Sequence, residues 1–219
     1  MIITIDGPVA SGKSTAARNL ARLLCFHHLD TGAIFRAMTL MAIDEGIDIT
    51  DEDALIDMLK RVRIGLEDDR VMLCGRDVTE RIRLPEVSAA VRPLAENPMI
   101  RSFVLDIERS VAKDTDIVVE GRDMGTVVFP DADLKFYLTS SAEERAQRRW
   151  EELRQRGTPQ EFETVLAELV ERDRADMTRD VAPLQVPADA VLVDSTGWSP
   201  QQTLEKLHSV VLERLGGRV

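Results

Sequence analysis

The chain has 219 residues, enough for one sizeable core carrying a small inserted subdomain. Its hydrophobic share of 44% and charged share of 31% are those of a soluble globular protein. A formal net charge of −11 repels polyanions and excludes a nucleic-acid duplex as an expected partner, while an aromatic share of 4% argues against a stacking platform for single strands.

Ile2 to Ile5 is a short β-branched run closed by Asp6-Gly7-Pro8, which reads as a buried strand entering a loop. The run has no basic region and is too short for a signal peptide or membrane span, so a cytoplasmic protein with no membrane partner is expected. A helix is predicted from about Gly12, with Ala16, Leu20, Leu23 and Leu24 at helical spacing. Phe26 to Leu29 predicts a second strand ending at Asp30-Thr31-Gly32, and the next helix carries Ile34, Met38, Met41 and Ala42. Met38, Met41 and Met58 read as core filler. Cys25 and Cys74 have no metal-ligand spacing and are expected as buried or partly buried thiols. Of the adjacent His27 and His28, one is expected to face in and one out. Neither has a nucleophile nearby to give it a catalytic role.

Asp51 to Leu59 predicts a short acid-capped helix. Val62–Leu66 and Val71–Cys74 predict a hairpin turning at Glu67-Asp68-Asp69-Arg70, with Arg76-Asp77-Val78 as a third short strand. This antiparallel stretch breaks the βα rhythm, so residues 43–96 are read as an insertion into a core made of 1–42 and 97–219. Helices are predicted over Val87–Leu94 and Ile100–Val111. The rhythm resumes with strands at Ile117–Val119, Leu134–Leu138 and Ala190–Val193. Ser141-Ala-Glu-Glu144 and Thr158-Pro159-Gln-Glu161 each read as a capping box opening a helix, and Pro200–Leu215 as a final amphipathic helix. The fold class expected is α/β, with about five parallel strands flanked by helices.

Gly7-Pro8-Val9-Ala10-Ser11-Gly12-Lys13-Ser14 matches G-x-x-x-x-G-K-[ST], with an apolar strand before it and a helix after it. In such a loop, backbone N–H groups and a helix N-terminus cradle anionic oxygens. Gly7 through Thr15 are therefore the expected ATP-binding residues. Lys13 would reach the β- and γ-phosphates and the Ser14 hydroxyl would bind Mg²⁺. Asp6 is read as orienting the loop by hydrogen bonding.

Glu120, Arg122 and Asp123 stand where a buried strand ends, the position at which open parallel sheets bind ligands. Arg172, Asp176 and Arg179 are spaced four and three apart and share a helix face if the helix runs that far, offering two cations around a carboxylate. Arg145, Arg148, Arg149 and Arg156 form a second basic group suited to a migrating phosphoryl group, with Gly157 as a hinge. The alternative for any one of these arginines is a solvated face paired to Glu143, Glu144, Glu151 or Glu152.

Taken together, Thr4-Ile-Asp-Gly-Pro8, the phosphate loop, Leu29-Asp-Thr-Gly-Ala-Ile-Phe-Arg36, Glu120-Gly-Arg-Asp-Met-Gly-Thr-Val-Val-Phe-Pro130, Glu171-Arg-Asp-Arg-Ala-Asp-Met-Thr-Arg179 and Val181-Ala-Pro-Leu184 resemble the bacterial cytidylate kinases, from Ile3 to about Leu215. The resemblance implies a P-loop kinase fold whose 43–96 insertion binds CMP and whose residues 141–162 form a helical lid. It implies transfer of phosphate from ATP to CMP or dCMP, and a monomer is the expected state. Lys13, Arg122, Arg145, Arg148 and Arg149 would be catalytic. Arg36, Arg122 and Arg179 would grip the CMP phosphate, with Thr31 also in the acceptor site. Arg172 and Asp176 would hold the ribose. Arg101 and Asp123 would read the cytosine, Asp123 accepting from its exocyclic amine. Thr31, Phe35, Glu120 and Arg92 depart from the family pattern. Two other readings stay open: a kinase of another small acceptor such as a different nucleotide or shikimate, and an ATP-binding switch, which has no use for the second arginine group.

Overall fold

The computed structural model describes residues 1–67 and 70–216. Its principal sheet has five strands, β1 (Ile2–Asp6), β2 (His27–Asp30), β6 (Ile117–Gly121), β7 (Leu134–Thr139) and β8 (Val191–Asp194), in the order β2-β6-β1-β7-β8. The β1–β6, β1–β7 and β7–β8 pairings are all parallel. A strand covered on both faces has no polar side to show, which explains the continuous apolar run at Ile117–Val119 and the β-branched run at Ile2–Ile5, where Thr4 too is buried. The register sets Asp6 opposite both Gly121 and Tyr137, so β1 and β6 end together at one edge while β7 runs on to Thr139 beside them.

Helices α1 (Lys13–Leu24) and α8 (Pro200–Leu215) close one core. Ala17, Leu20 and Val211 pack there with Ile3, Ile5 and Phe136. The alanines of α1 let its backbone approach the sheet. α8 opens on a capping box in which Gln202 N–H donates to Ser199 Oγ (3.2 Å) and Ser199 N–H donates to Gln202 Oε1 (2.8 Å).

The chain divides into two compact units, residues 1–28 with 114–219, and residues 29–113. The second contains the whole 43–96 stretch together with α2 (Thr31–Glu45) and α5 (Pro98–Val111). Within it, β3 (Ile64–Glu67), β4 (Arg70–Leu73) and β5 (Arg76–Asp77) form an antiparallel sheet, accompanied by α3 (Glu52–Arg61) and α4 (Pro85–Glu96). Of the expected hairpin turn, Asp68 and Asp69 lie outside the described residues. Met38, Met41 and Met58 are core residues as expected.

Several expectations are corrected. The Thr158 capping box does not form. α6 (Ala142–Gln155) ends in a left-handed Gly157 (φ 75°), with Gly157 N–H donating to the Arg154 carbonyl (3.1 Å) and Thr158 N–H to that of Leu153 (3.0 Å). Thr158 thus closes α6 instead of opening the next helix. That helix, α7 (Phe162–Thr178), starts after Glu161 with no side-chain cap. Ser141 does cap α6 by accepting from Glu144 N–H (3.3 Å). The Glu144 carboxylate does not return the bond, because it accepts from Gly197 N–H (2.6 Å) and pairs with Arg148. Cys25 and Cys74 are exposed, not buried. Each occupies a left-handed position (φ 58° and 48°) in a turn that carries its side chain outward.

Phe136 is fully buried at the centre of this core. Phe136→Ala is expected to lower the unfolding free energy by about 3–5 kcal/mol in a urea titration, with the slope unchanged.

Candidate active site

The phosphate loop leaves β1 at the shared sheet edge. A Cβ at Gly7 would lie 2.1 Å from the Leu138 carbonyl oxygen of β7, so the loop runs against the neighbouring strand's backbone and only glycine fits. Ala10 is left-handed (φ 56°), a conformation costing about 1–2 kcal/mol outside glycine, and it holds only where neighbours fix it. The adjacent Val9 is fixed at both ends. Its N–H donates to Asp173 Oδ1 (3.2 Å), and its carbonyl accepts from Arg145 Nη1 (3.1 Å), which also donates to Asp173 Oδ2. Arg145 Nε donates to the Ser140 carbonyl (3.0 Å), and Arg148 Nη1 donates to that of Ser11 (3.3 Å). Lys13 is buried, its Nζ donating to the Pro8 carbonyl (3.0 Å). The Ser11 hydroxyl is buried with no hydrogen-bond partner among the described residues, while Ser14 is exposed.

Asp6 ends β1 fully buried. Its two oxygens accept from Met124 N–H (2.9 Å) and Gly125 N–H (2.8 Å), which start a single π-turn over Met124–Val128. In that turn Val128 N–H donates to the Asp123 carbonyl (3.1 Å) and Phe129 N–H to that of Met124 (2.7 Å). The loop-orienting role read for Asp6 therefore acts on the segment following Arg122 and Asp123. Burial pushes its carboxyl up to about 6. The two N–H bonds and Lys13 pull the other way, and Asp123 adds to the rise.

Arg122 Nε donates to Asp176 Oδ2 (2.8 Å), across 54 residues of sequence. Burial raises the Asp176 carboxyl, but the Arg122 guanidinium, followed by Arg172 and Arg179, more than offsets this and holds it below the usual carboxylate range. Arg179 is not on the α7 face with Arg172 and Asp176. The helix ends at Thr178, and Arg179 is an extended C-cap (φ −65°, ψ 146°). Its guanidinium returns to the cluster by donating to the Ala182 carbonyl and standing 3.6 Å from Asp123 Oδ1. Asp123 and Glu120 are both buried.

Arg149 pairs along its own helix with Glu152 (3.2 Å), the solvated-face arrangement, while Arg145 and Arg148 turn to the loop. Trp150 fastens the α6–α7 connection, donating from Nε1 to the Gln160 carbonyl (2.9 Å) and meeting Phe162 edge-on at 6.5 Å. In the unit of residues 29–113, Thr31 is buried at the start of α2 and Arg36 pairs with Asp30 (2.9 Å), which also caps the helix through Ala33 N–H. A Cβ at Gly32 would sit 2.8 Å from Arg36 Nη1, so glycine there makes room for the guanidinium. Arg101 lies over the Phe35 ring at 5.7 Å and donates to the Ala95 carbonyl (3.2 Å). Asp173 is the residue that sequence reading missed. Its partners Val9 and Arg145 lie 164 and 28 residues away, and no local spacing connects them.

Because the folded Asp6 carboxyl holds its proton more tightly than the ordinary value of 3.8, its contribution to stability is full below that value and is lost as pH rises through about 6. Carbon-13 titration should give Asp6 a midpoint near 6. A midpoint at the ordinary value would contradict the burial described.

The family model for cytidylate kinase matches residues 3–213. The cytidylate kinase of Caldanaerobacter subterraneus subsp. tengcongensis is 41% identical over 217 residues, covering 99% of this chain and 97% of that one. That of Pelotomaculum thermopropionicum is 43% identical over 210 residues, covering 94% and 93%. Among solved structures, a shikimate kinase from Bacteroides thetaiotaomicron superposes with a TM-score of 0.51 at 10% identity over 96% of this chain and 98% of its own, a likeness of fold alone. With its phosphate loop and arginine cluster meeting at one sheet edge and its sequence matched nearly end to end, the chain belongs to the cytidylate kinase family.

Proposed function

We propose that this enzyme transfers the γ-phosphoryl group of ATP to CMP or dCMP, giving CDP or dCDP and ADP, as a cytoplasmic monomer. The observation that carries the reading is the register of adjacent strands. Asp6 lies opposite Gly121, so the phosphate loop after Asp6 and Arg122 after Gly121 leave the same edge of the sheet side by side.

ATP suits the loop's features, since the buried Ser11 hydroxyl, without a partner among the described residues, and the N-terminus of α1 both call for an anion. On this reading Lys13 Nζ exchanges the Pro8 carbonyl for β- and γ-phosphate oxygens. Mg²⁺ fits as well, because the exposed Ser14 hydroxyl is a hard oxygen donor, and bound there the ion would neutralise phosphate charge. No protein nucleophile takes part. An oxygen of the acceptor phosphate attacks the γ-phosphorus while ADP departs, and the protein supplies position and positive charge. Arg122, Arg179 and Arg36 are assigned to the acceptor phosphate, and Thr31 to acceptor binding. Arg172 and Asp176 are assigned to the sugar, and Arg101 and Asp123 to the base. Arg148 and Arg149 are assigned to the migrating group, and Arg145 joins them in the catalytic set. A carboxylate at Asp123 prefers the cytosine amine to a uracil carbonyl, which would leave a buried acceptor unpaired. Residues 141–162 are proposed as the lid, and 43–96 as the CMP-binding insertion.

In a coupled ADP-release assay with Mg²⁺ and ATP, CMP and dCMP should outpace UMP, AMP and shikimate. A uridine or adenine nucleotide that clearly outpaced CMP would refute the acceptor assignment. Arg179→Ala should raise the acceptor KM by about 10- to 100-fold, the loss of a charge-assisted contact, with ATP binding nearly intact. Equal losses for both substrates would remove Arg179 from the acceptor site.

A further inference from the structure

We propose that Asp173 is a positioning residue for ATP: with Arg145 it fixes the backbone on both sides of Val9 and so sets the shape in which the phosphate loop receives the nucleotide. The inference rests on the reading of Gly7–Thr15 as the ATP-binding loop.

Asp173 divides its two oxygens between the loop and its clamp. Oδ1 accepts from Val9 N–H and Oδ2 from Arg145, whose guanidinium also reaches the Val9 carbonyl. Both side chains are about nine-tenths buried, at 8% and 10% exposure, so water does not compete for these bonds. The Val9 N–H is thereby committed to protein and is not a phosphate donor. The clamp instead holds the two successive peptide groups that flank Val9, next to the left-handed Ala10, and the backbone from Ser11 onward takes its direction from that point. Arg145 is anchored at its other end by the Ser140 carbonyl, immediately after β7. Asp173 also stands three residues before Asp176, the partner of Arg122, so α7 touches the phosphate loop and the acceptor-side arginine from one surface.

Asp173→Asn keeps the size, removes the charge and turns a donor toward either Val9 N–H or Arg145. Steady-state kinetics should show the KM for ATP rising about tenfold with the CMP KM changed less than about twofold. The thermal shift given by CMP alone should persist, which also establishes that the variant is folded. If Asp173→Asn does not fold, Asp173→Glu carries the test. It keeps the charge but displaces both contacts by a methylene, and the same selective rise in the ATP KM is expected. An ATP KM unchanged in the folded variant, or both substrate constants rising together, would overturn the proposal. Wild-type protein that fails to bind ATP would instead end the phosphate-loop reading itself.

Discussion

A backbone loop binds phosphate only if its N–H groups are already turned inward, and an isolated loop has no reason to hold them there. Here the constraint comes from the place where β1 ends. Gly7 runs against the Leu138 carbonyl, Val9 is held by Asp173 and Arg145, and Arg148 reaches the Ser11 carbonyl. One residue earlier, buried Asp6 draws in the Met124 and Gly125 amides and thereby fixes the turn that follows Arg122 and Asp123. A buried carboxylate left unsatisfied would cost more than the two hydrogen bonds return, so the turn and the strand end specify each other. Both halves of the site therefore depend on the central strand lying between β6 and β7.

An acidic protein that handles anions must gather its cations locally and keep them from repelling one another. Arg122 and Arg179 are each held by a carboxylate, Asp176 and Asp123 respectively, and Arg145 by Asp173. The acids do more than neutralise charge. They fix the guanidiniums in space, so that on the proposed reading an arriving phosphate would meet oriented donors and less side-chain entropy would be lost on binding. The net charge of −11 and a site rich in arginine are thus compatible.

The parallel sheet was legible because strands covered on both faces read as apolar runs, and the phosphate loop because its chemistry needs fixed residues at fixed spacing. Arg122 was legible from its place at a strand end, and Asp176 from its spacing to Arg172. The Asp173–Val9 clamp was not, since it joins residues whose proximity exists only after the sheet has formed. The π-turn escaped because it depends on Asp6 from a distant strand. Thr158 misled because T-P-Q-E is a valid cap pattern, yet Gly157 just before it is a stronger helix stop, and the same threonine served the preceding helix. Arg179 lay one residue past the end of α7, within the margin that spacing cannot resolve.

The central claim is that the loop is shaped by its protein neighbours before nucleotide arrives. Amide hydrogen exchange on the nucleotide-free protein tests it most directly. Val9, Met124 and Gly125 should exchange far more slowly than unprotected loop amides and change little when ATP is added. Exchange of all three at unprotected rates until ATP binds would mean that the nucleotide organises the loop, and would contradict the account.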